Sequence, residues 1–200
     1  MNKLSIIGAG SHARSVMGML NDLGILVEAI YDDYTIKNEN IFGIPCKNIN
    51  EISEKSKVIL AVGDNIKRLK KIHEFHSMLY EKPIIHPTVY FHESLKVGKS
   101  TMVFPNVTIN VLVKIGDNCI INSSSIIEHE SVIGDNCHIS IGSIISGRVK
   151  IGNNCFIGAG AVILDGVDIC GNVIVGAGSV VLKNITYPGT YVGSPAKKIK

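Results

Sequence analysis

No stretch of the sequence approaches the roughly 18 uncharged apolar residues that a membrane-spanning helix needs, so no membrane insertion is expected. A basic tail or dense basic stripe is also missing. The net charge of +3 is spread along the chain, and the richest run, Lys67-Arg68-Leu69-Lys70-Lys71, mixes charged and apolar residues as a solvated helix face does, so nucleic acid is not an expected partner. The five cysteines are odd in number and form no C-x-x-C pair, which argues against a disulfide framework and for the reducing cytoplasm. A zinc signature is absent as well. His73-Glu74-Phe75-His76 has Ser77 where H-E-x-x-H needs its second histidine, and His129 and His138 supply only two of three convergent ligands, so no metal is expected. Met1-Asn2-Lys3 leads into a short apolar segment, which reads as a first strand rather than a signal peptide.

What is present is a repeat. Every sixth residue from Val97 onward is Val or Ile: Val103, Ile109, Ile115, Ile121, Ile127, Ile133, Ile139, Ile145, Ile151, Ile157, Ile163, Ile169, Val175 and Val181. The position four later in each unit is small or β-branched, and it includes Cys119, Cys137 and Cys155. A period of six fits neither a helix nor an alternating strand, so each unit must be one short strand plus a corner. Three units make one triangular coil, and the region from Val97 to Thr186 should coil into a parallel β-helix. Its Val/Ile ladder points inward, and the three cysteines serve as core filler. Gly116, Gly134, Gly152, Gly158 and Gly176 follow inward residues, where a corner needs unusual backbone angles or close approach. The period does not fix the hand of the coil.

The first ninety residues read as a small parallel α/β unit. Strands are expected at Leu4–Ile7, Ile25–Tyr31 and Val58–Val62, with helices over Ala13–Leu23 and Ile66–Tyr80. Pro83 and His86-Pro87 mark the passage into the repeat, which gives domains at 1–86 and 87–200. The fold class is therefore a Rossmann-like βαβαβ domain followed by a parallel β-helix.

Two segments carry candidate chemistry. Gly8-Ala9-Gly10-Ser11-His12-Ala13 matches G-x-G-x-x-[G/A] between a strand and a helix, where backbone N–H groups can hold a phosphate, and Asp32-Asp33 follows at the end of the second strand. The chain turns to hexapeptides before a second βαβ half could form, so a sugar-linked nucleotide fits better than a dinucleotide. Within the repeat, Asn122 to Glu130 concentrates reactive groups. His129 is the candidate general base, with an adjacent carboxylate to orient it. His86 and His92 read as structural.

Ile6-Ile7-Gly8-Ala9-Gly10-Ser11-His12-Ala13, the segment Asn122–Gly134 and Gly193-Ser194-Pro195-Ala196-Lys197 together resemble the left-handed β-helix sugar acetyltransferases. That family includes the UDP-4-amino-sugar (bacillosamine-pathway) N-acetyltransferases and the sialic acid O-acetyltransferases. The resemblance implies a left-handed coil, a homotrimer, and acetyl-CoA as co-substrate between neighbouring β-helices. It implies His129 as base with Glu130, and acetyl-CoA contacts from Asn122, His138, Ala159, Ala177, Lys197 and the Gly147 backbone N–H. Gly8, Gly10, Ser11, His12, Asp32, Asp33 and Gly63 fall on the nucleotide-sugar side. The expected reaction is acetyl transfer to the 4-amino group of a UDP- or dTDP-linked deoxysugar. The alternatives are O-acetylation of sialic acid or another polysaccharide sugar, and a non-catalytic trimeric scaffold. Arg14 stands where the bacillosamine enzymes carry an apolar residue, and Ala159 replaces a larger aliphatic, which leaves the sugar open.

Overall fold

In the computed structural model, residues 4–34 and 40–200 are described. Met1-Asn2-Lys3, which the sequence reading set ahead of the first strand, lie outside them. The chain divides into two compact units, Met1–Glu81 and Lys82–Lys200.

The first unit is a mostly parallel sheet in the order β3-β4-β2-β1-β5, made of β1 Leu4–Ile7, β2 Val27–Asp32, β3 Asn40–Ile41, β4 Ile44–Asn48 and β5 Lys57–Leu60. Helix α1, Ser11–Asp22, follows β1, and α2, Asn65–Glu74, follows β5. The β3–β4 pair was not legible in sequence, because a two-residue edge strand has no period. Strand β1 lies between β2 and β5, so the chain reverses its winding direction there, and the crevice at the carboxyl ends of such strands is the usual ligand position. Helix α2 ends at Glu74, short of Tyr80. The chain then turns so that Leu79 bridges to Val58, and Phe75, Met78 and Leu79 pack into the sheet's core.

The second unit is a three-faced parallel β-helix of two-residue strands. Face one stacks Tyr90–Phe91, Thr108–Ile109, Ile126–Ile127, Ile144–Ile145, Val162–Ile163 and Val180–Val181. Face two runs from Lys96–Val97 to Asp168–Ile169, and face three begins at Ile84–Ile85. Each inward residue pairs with its equivalent one coil on, as Ile121 does with Ile139 and Ile139 with Ile157. These side chains are fully buried, and each contributes about 1.5–3 kcal/mol of hydrophobic stabilisation.

The repeat begins earlier than the Val/Ile ladder suggests. Ile84–Ile85 pairs with Met102–Val103, and Tyr90–Phe91 pairs with Thr108–Ile109. Phe91 hides this start because it is neither Val nor Ile. The boundary between the units accordingly falls at Glu81/Lys82, ahead of the expected 86/87. His86-Pro87 belongs to a corner of the coil, where His86 Nδ1 accepts the Thr88 N–H at 3.2 Å.

The corners separate two roles that the sequence left combined. A left-handed backbone recurs every sixth residue, at Ser100, Asn106, Leu112, Asn118, Ser124, Glu130, Asn136, Gly142, Arg148 and Asn154. Gly116 and Gly134 are not among these positive-φ positions. They are glycine because the next coil approaches too closely: a Cβ on Gly134 would lie 2.8 Å from Asn153 N and 2.9 Å from the Gly152 carbonyl carbon. The Asp135 carboxylate fills the place of a side chain at Gly116 and accepts the Asp117 N–H at 2.8 Å. Asparagine tolerates the left-handed region, and Asn136 Nδ2 also donates to Asn154 Oδ1 at 3.0 Å.

The interior cysteines are satisfied as well as buried. Each thiol donates to a corner carbonyl of the next coil, Cys119 to Gly134 O at 3.1 Å and Cys137 to Gly152 O at 3.1 Å. Contacts with Cys119 and Cys155, together with burial, hold the Cys137 thiol well above its usual pKa, so it packs as a neutral hydrophobe.

Candidate active site

The residues expected on the nucleotide-sugar side meet at the carboxyl ends of β1, β2 and β5. Gly8 has φ +107, and a Cβ there would lie 2.8 Å from the Ala61 carbonyl oxygen, so both backbone angle and space demand glycine. Gly10 is the N-cap of α1, which leaves the first-turn N–H groups of Ser11 and His12 at the helix's positive end. Asp32 braces this turn: its carboxylate accepts the Ala9 N–H at 2.7 Å and the Tyr34 N–H at 2.9 Å. Arg14 reaches back to the Gly10 carbonyl at 3.3 Å.

A cleft of about 490 Å³ opens beside Gly8, Asp32, Asp33 and Val62, and α2 supplies Lys67, Lys70 and Lys71 to its wall. The basic run is therefore more than a solvated face. Arg68 is 1% exposed, with its guanidinium donating to the Val62 carbonyl at 3.0 Å and to Asn65 Oδ1 at 2.9 Å. Lys71 bonds Asp33 at 2.8 Å and Glu74 at 3.0 Å. Burial disfavours its charge, but these two carboxylates win and hold its pKa above the ordinary value. The spacing 67, 70, 71 was the available signal, since it places all three ammonium groups on one helix face.

His12 sits beneath the turn, 3.9 Å from where a Gly63 Cβ would stand. Burial, and then the nearby Arg68 charge, push its pKa from 6.5 down to about 4. Between those values the unfolded chain binds a proton that the folded chain refuses, so stability present above pH 6.5 is lost as the pH falls toward 4. Denaturant melts should show His12→Gln losing about 2–3 kcal/mol less than the parent between about pH 7.5 and 4.5. Equal losses in the two proteins would rule out His12 as the cause.

On the β-helix, the expected residues fall on two different edges. At the corner between faces one and two, His129 Nδ1 lies 3.2 Å from Glu130 Oε2. Glu128 is not the partner, because Asn110 Nδ2 donates to it at 2.7 Å. The imidazole stacks over the next coil's Gly147: a Cβ on Gly147 would lie 2.5 Å from Cε1 and 2.6 Å from Nε2 of His129. With Nδ1 turned to a carboxylate, the neutral tautomer carries its proton there, and Nε2 is left to accept another. Among the described residues, nothing accepts a hydrogen bond from the Gly147 N–H.

The other edge lies between faces three and one. Asn122 Nδ2 is 3.2 Å from His138 Nε2, and His138 packs edge-on to Phe156 with centroids 5.0 Å apart. Asn122 Oδ1 is occupied by the Ser123 N–H at 2.8 Å. Ala159 follows on the same edge, with its carbonyl accepting the N–H of Gly178, next to Ala177. Lys197 lies on an exposed strand at the end of the face-three sheet, paired antiparallel to Tyr191–Val192. Within one chain, His129 and His138 are on different sides of the prism.

Residues 85–194 match the model of the GMPPB C-terminal domain, and residues 3–75 match that of the PglD N-terminal domain. Over the whole chain, the fold is similar to perosamine N-acetyltransferase from Caulobacter crescentus, solved as a histidine-to-asparagine mutant with CoA and GDP-perosamine. The identity is 30% and the TM-score 0.90, with 100% of this chain and 98% of that one covered. The chain belongs to the hexapeptide-repeat sugar N-acetyltransferases. Its coil is the left-handed parallel β-helix of these N-acetyltransferases, joined to a Rossmann-like domain. A second member of similar fold is the acetyltransferase domain of PglB from Neisseria gonorrhoeae in complex with acetyl coenzyme A, at 28% identity, TM-score 0.90 and 99% coverage of each chain. No curated protein sequence matches significantly. Among the described residues of this N-acetyltransferase, no helix is long and apolar enough to cross a membrane, and no cluster of three or more His, Cys, Asp or Glu could hold a metal ion.

Proposed function

We propose that the protein transfers acetyl from acetyl-CoA to the 4-amino group of a nucleotide-linked deoxysugar. The observation that carries this reading is His129, with Nδ1 in contact with Glu130 and the ring stacked over Gly147, whose N–H is unpaired among the described residues, in a chain similar to perosamine N-acetyltransferase over its whole length.

The neutral amine attacks the thioester carbonyl, and Nε2 of His129 takes the proton that the nitrogen sheds as the C–N bond forms. The Gly147 N–H stabilises the oxyanion of the tetrahedral intermediate, where one such donor is worth about 2.7–4 kcal/mol. Collapse breaks the C–S bond, and the imidazolium returns its proton to the departing thiolate. Glu130 orients the ring and stabilises its charged form. Asn122, His138, Ala159, Ala177 and Lys197 hold acetyl-CoA. Gly8, Gly10, Ser11, His12, Asp32, Asp33 and Gly63 hold the nucleotide-sugar in the first unit, Met1–Glu81, with Lys67 and Lys70 against its diphosphate.

Because His129 and the Asn122–His138 pair occupy different edges of one prism, a site that uses both draws them from two copies, and a homotrimer repeats that junction three times. Five free thiols and a need for acetyl-CoA suit the reducing cytoplasm.

Purified protein would be incubated with acetyl-CoA and a panel of GDP-, UDP- and dTDP-linked 4-amino-sugars, with sialic acid as the hydroxyl acceptor, and thiol release and product mass would be followed. An amide product from an amino-sugar is expected. Acetylation of the hydroxyl acceptor alone, or no acetylated product from any acceptor, overturns the reading. The double variant Lys67→Ala/Lys70→Ala is expected to raise KM for the nucleotide-sugar about tenfold or more, as loss of charge-assisted phosphate contacts does. KM for acetyl-CoA stays unchanged, and equal effects on both would place the lysines elsewhere.

A further inference from the structure

The corner that carries His129 is built differently from the other two. Where those corners place only Ser, Asn or Gly in the left-handed region, this one holds Leu112, Glu130 and Arg148 there, at φ of 60, 60 and 57, before Gly166. Long side chains pay an energetic penalty in that region, and backbone strain of this kind gathers at functional sites. The Arg148 N–H donates to the His129 carbonyl at 2.8 Å, as the equivalent N–H does at the other corners. The Arg148 guanidinium pairs with Asp165 of the following coil.

Asp165 stands in the same column as His129 and Gly147. Its Oδ1 lies 3.1 Å from the point where a Gly147 Cβ would be, and that point is 2.6 Å from His129 Nε2. The imidazole and the carboxylate thus face each other across a space no larger than one methyl group. An exposed ion pair contributes little to stability, so the Arg148–Asp165 pair is weakly explained as a structural device.

We infer that Asp165, anchored by Arg148, is a positioning residue for His129, resting on the reading of His129 as the base. Glu130 holds the ring from the Nδ1 side. That contact is long and the His129 and Glu130 side chains are 39% and 53% exposed, so alone it leaves the ring free to swing. Asp165 bounds the other side of the slot and limits how far the ring can rotate. Arg148 keeps the carboxylate from turning toward solvent.

The test is a double-mutant cycle measured by initial rates on the best amino-sugar. Asp165→Asn and Arg148→Gln are each expected to lower kcat about tenfold, with KM values and melting temperature unchanged. In the His129→Gln background, Asp165→Asn is expected to change nothing further, because its effect runs through the ring. Equal losses in both backgrounds, or wild-type kcat in Asp165→Asn, overturn the inference while leaving His129 as the base. Wild-type kcat in His129→Gln overturns the underlying reading instead.

Discussion

Replacing His129 with glutamine is expected to lower kcat by about 10²–10⁴-fold, the usual contribution of a positioned general base. KM for both substrates should hold, and the far-UV circular dichroism and melting temperature should match the parent. The half-exposed ring fills no part of the inward ladder, and the coil around it is held by interior residues such as Ile127, Ile145 and Val149. Glutamine keeps most of the side chain's reach and its hydrogen-bonding ability but takes up no proton near neutral pH. Steady-state rates followed by thiol release check the outcome. A variant within about threefold of the parent, well inside the expected range, would remove His129 from the chemistry.

The second large effect is expected at Gly147. Gly147→Ala keeps the backbone N–H assigned to the thioester oxygen, but it inserts a methyl 2.5 Å from Cε1 and 2.6 Å from Nε2 of His129. Real carbon contacts are not that short, so the ring must swing out of its slot and the Glu130 contact must change with it. A shift of about 1 Å in a reacting group can cost about 10²-fold in rate, and that is the loss expected in kcat. Acetyl-CoA affinity, measured by calorimetry with CoA, should stay near the parent value because the amide is still there. Loss of CoA binding with an unaltered rate at saturation would reverse the two roles.

The ladder of Val and Ile was legible because the repeat is one-dimensional. Each unit packs against its own equivalent one coil away, so a period in sequence becomes a contact in space without knowledge of any distant segment. The glycine turn after β1 was legible for a similar reason: Gly8 needs its backbone angle locally, and Asp32 lies at the end of the next strand. The start of the coil was not legible, because Phe91 interrupts the pattern while its strand still pairs with Thr108–Ile109. Lys67 and Lys70 were read as solvent-facing, since only the packed sheet shows that α2 borders the cleft.

By itself, the sequence determined that the second unit is a coil of hexapeptides, that its interior is aliphatic, and that Asn122 to Glu130 is where the polar face departs from routine. Periodicity is a property of the chain, so it survives being read in one dimension. The tertiary structure decided which residues share an edge. It set His129 over Gly147 and opposite Asp165, paired Asn122 with His138 on another edge, and chose Glu130 over Glu128 as the partner of the imidazole. Those choices depend on side-chain direction at a corner and on the rise from one coil to the next. Neighbours in sequence diverge there, and residues one coil apart come into contact.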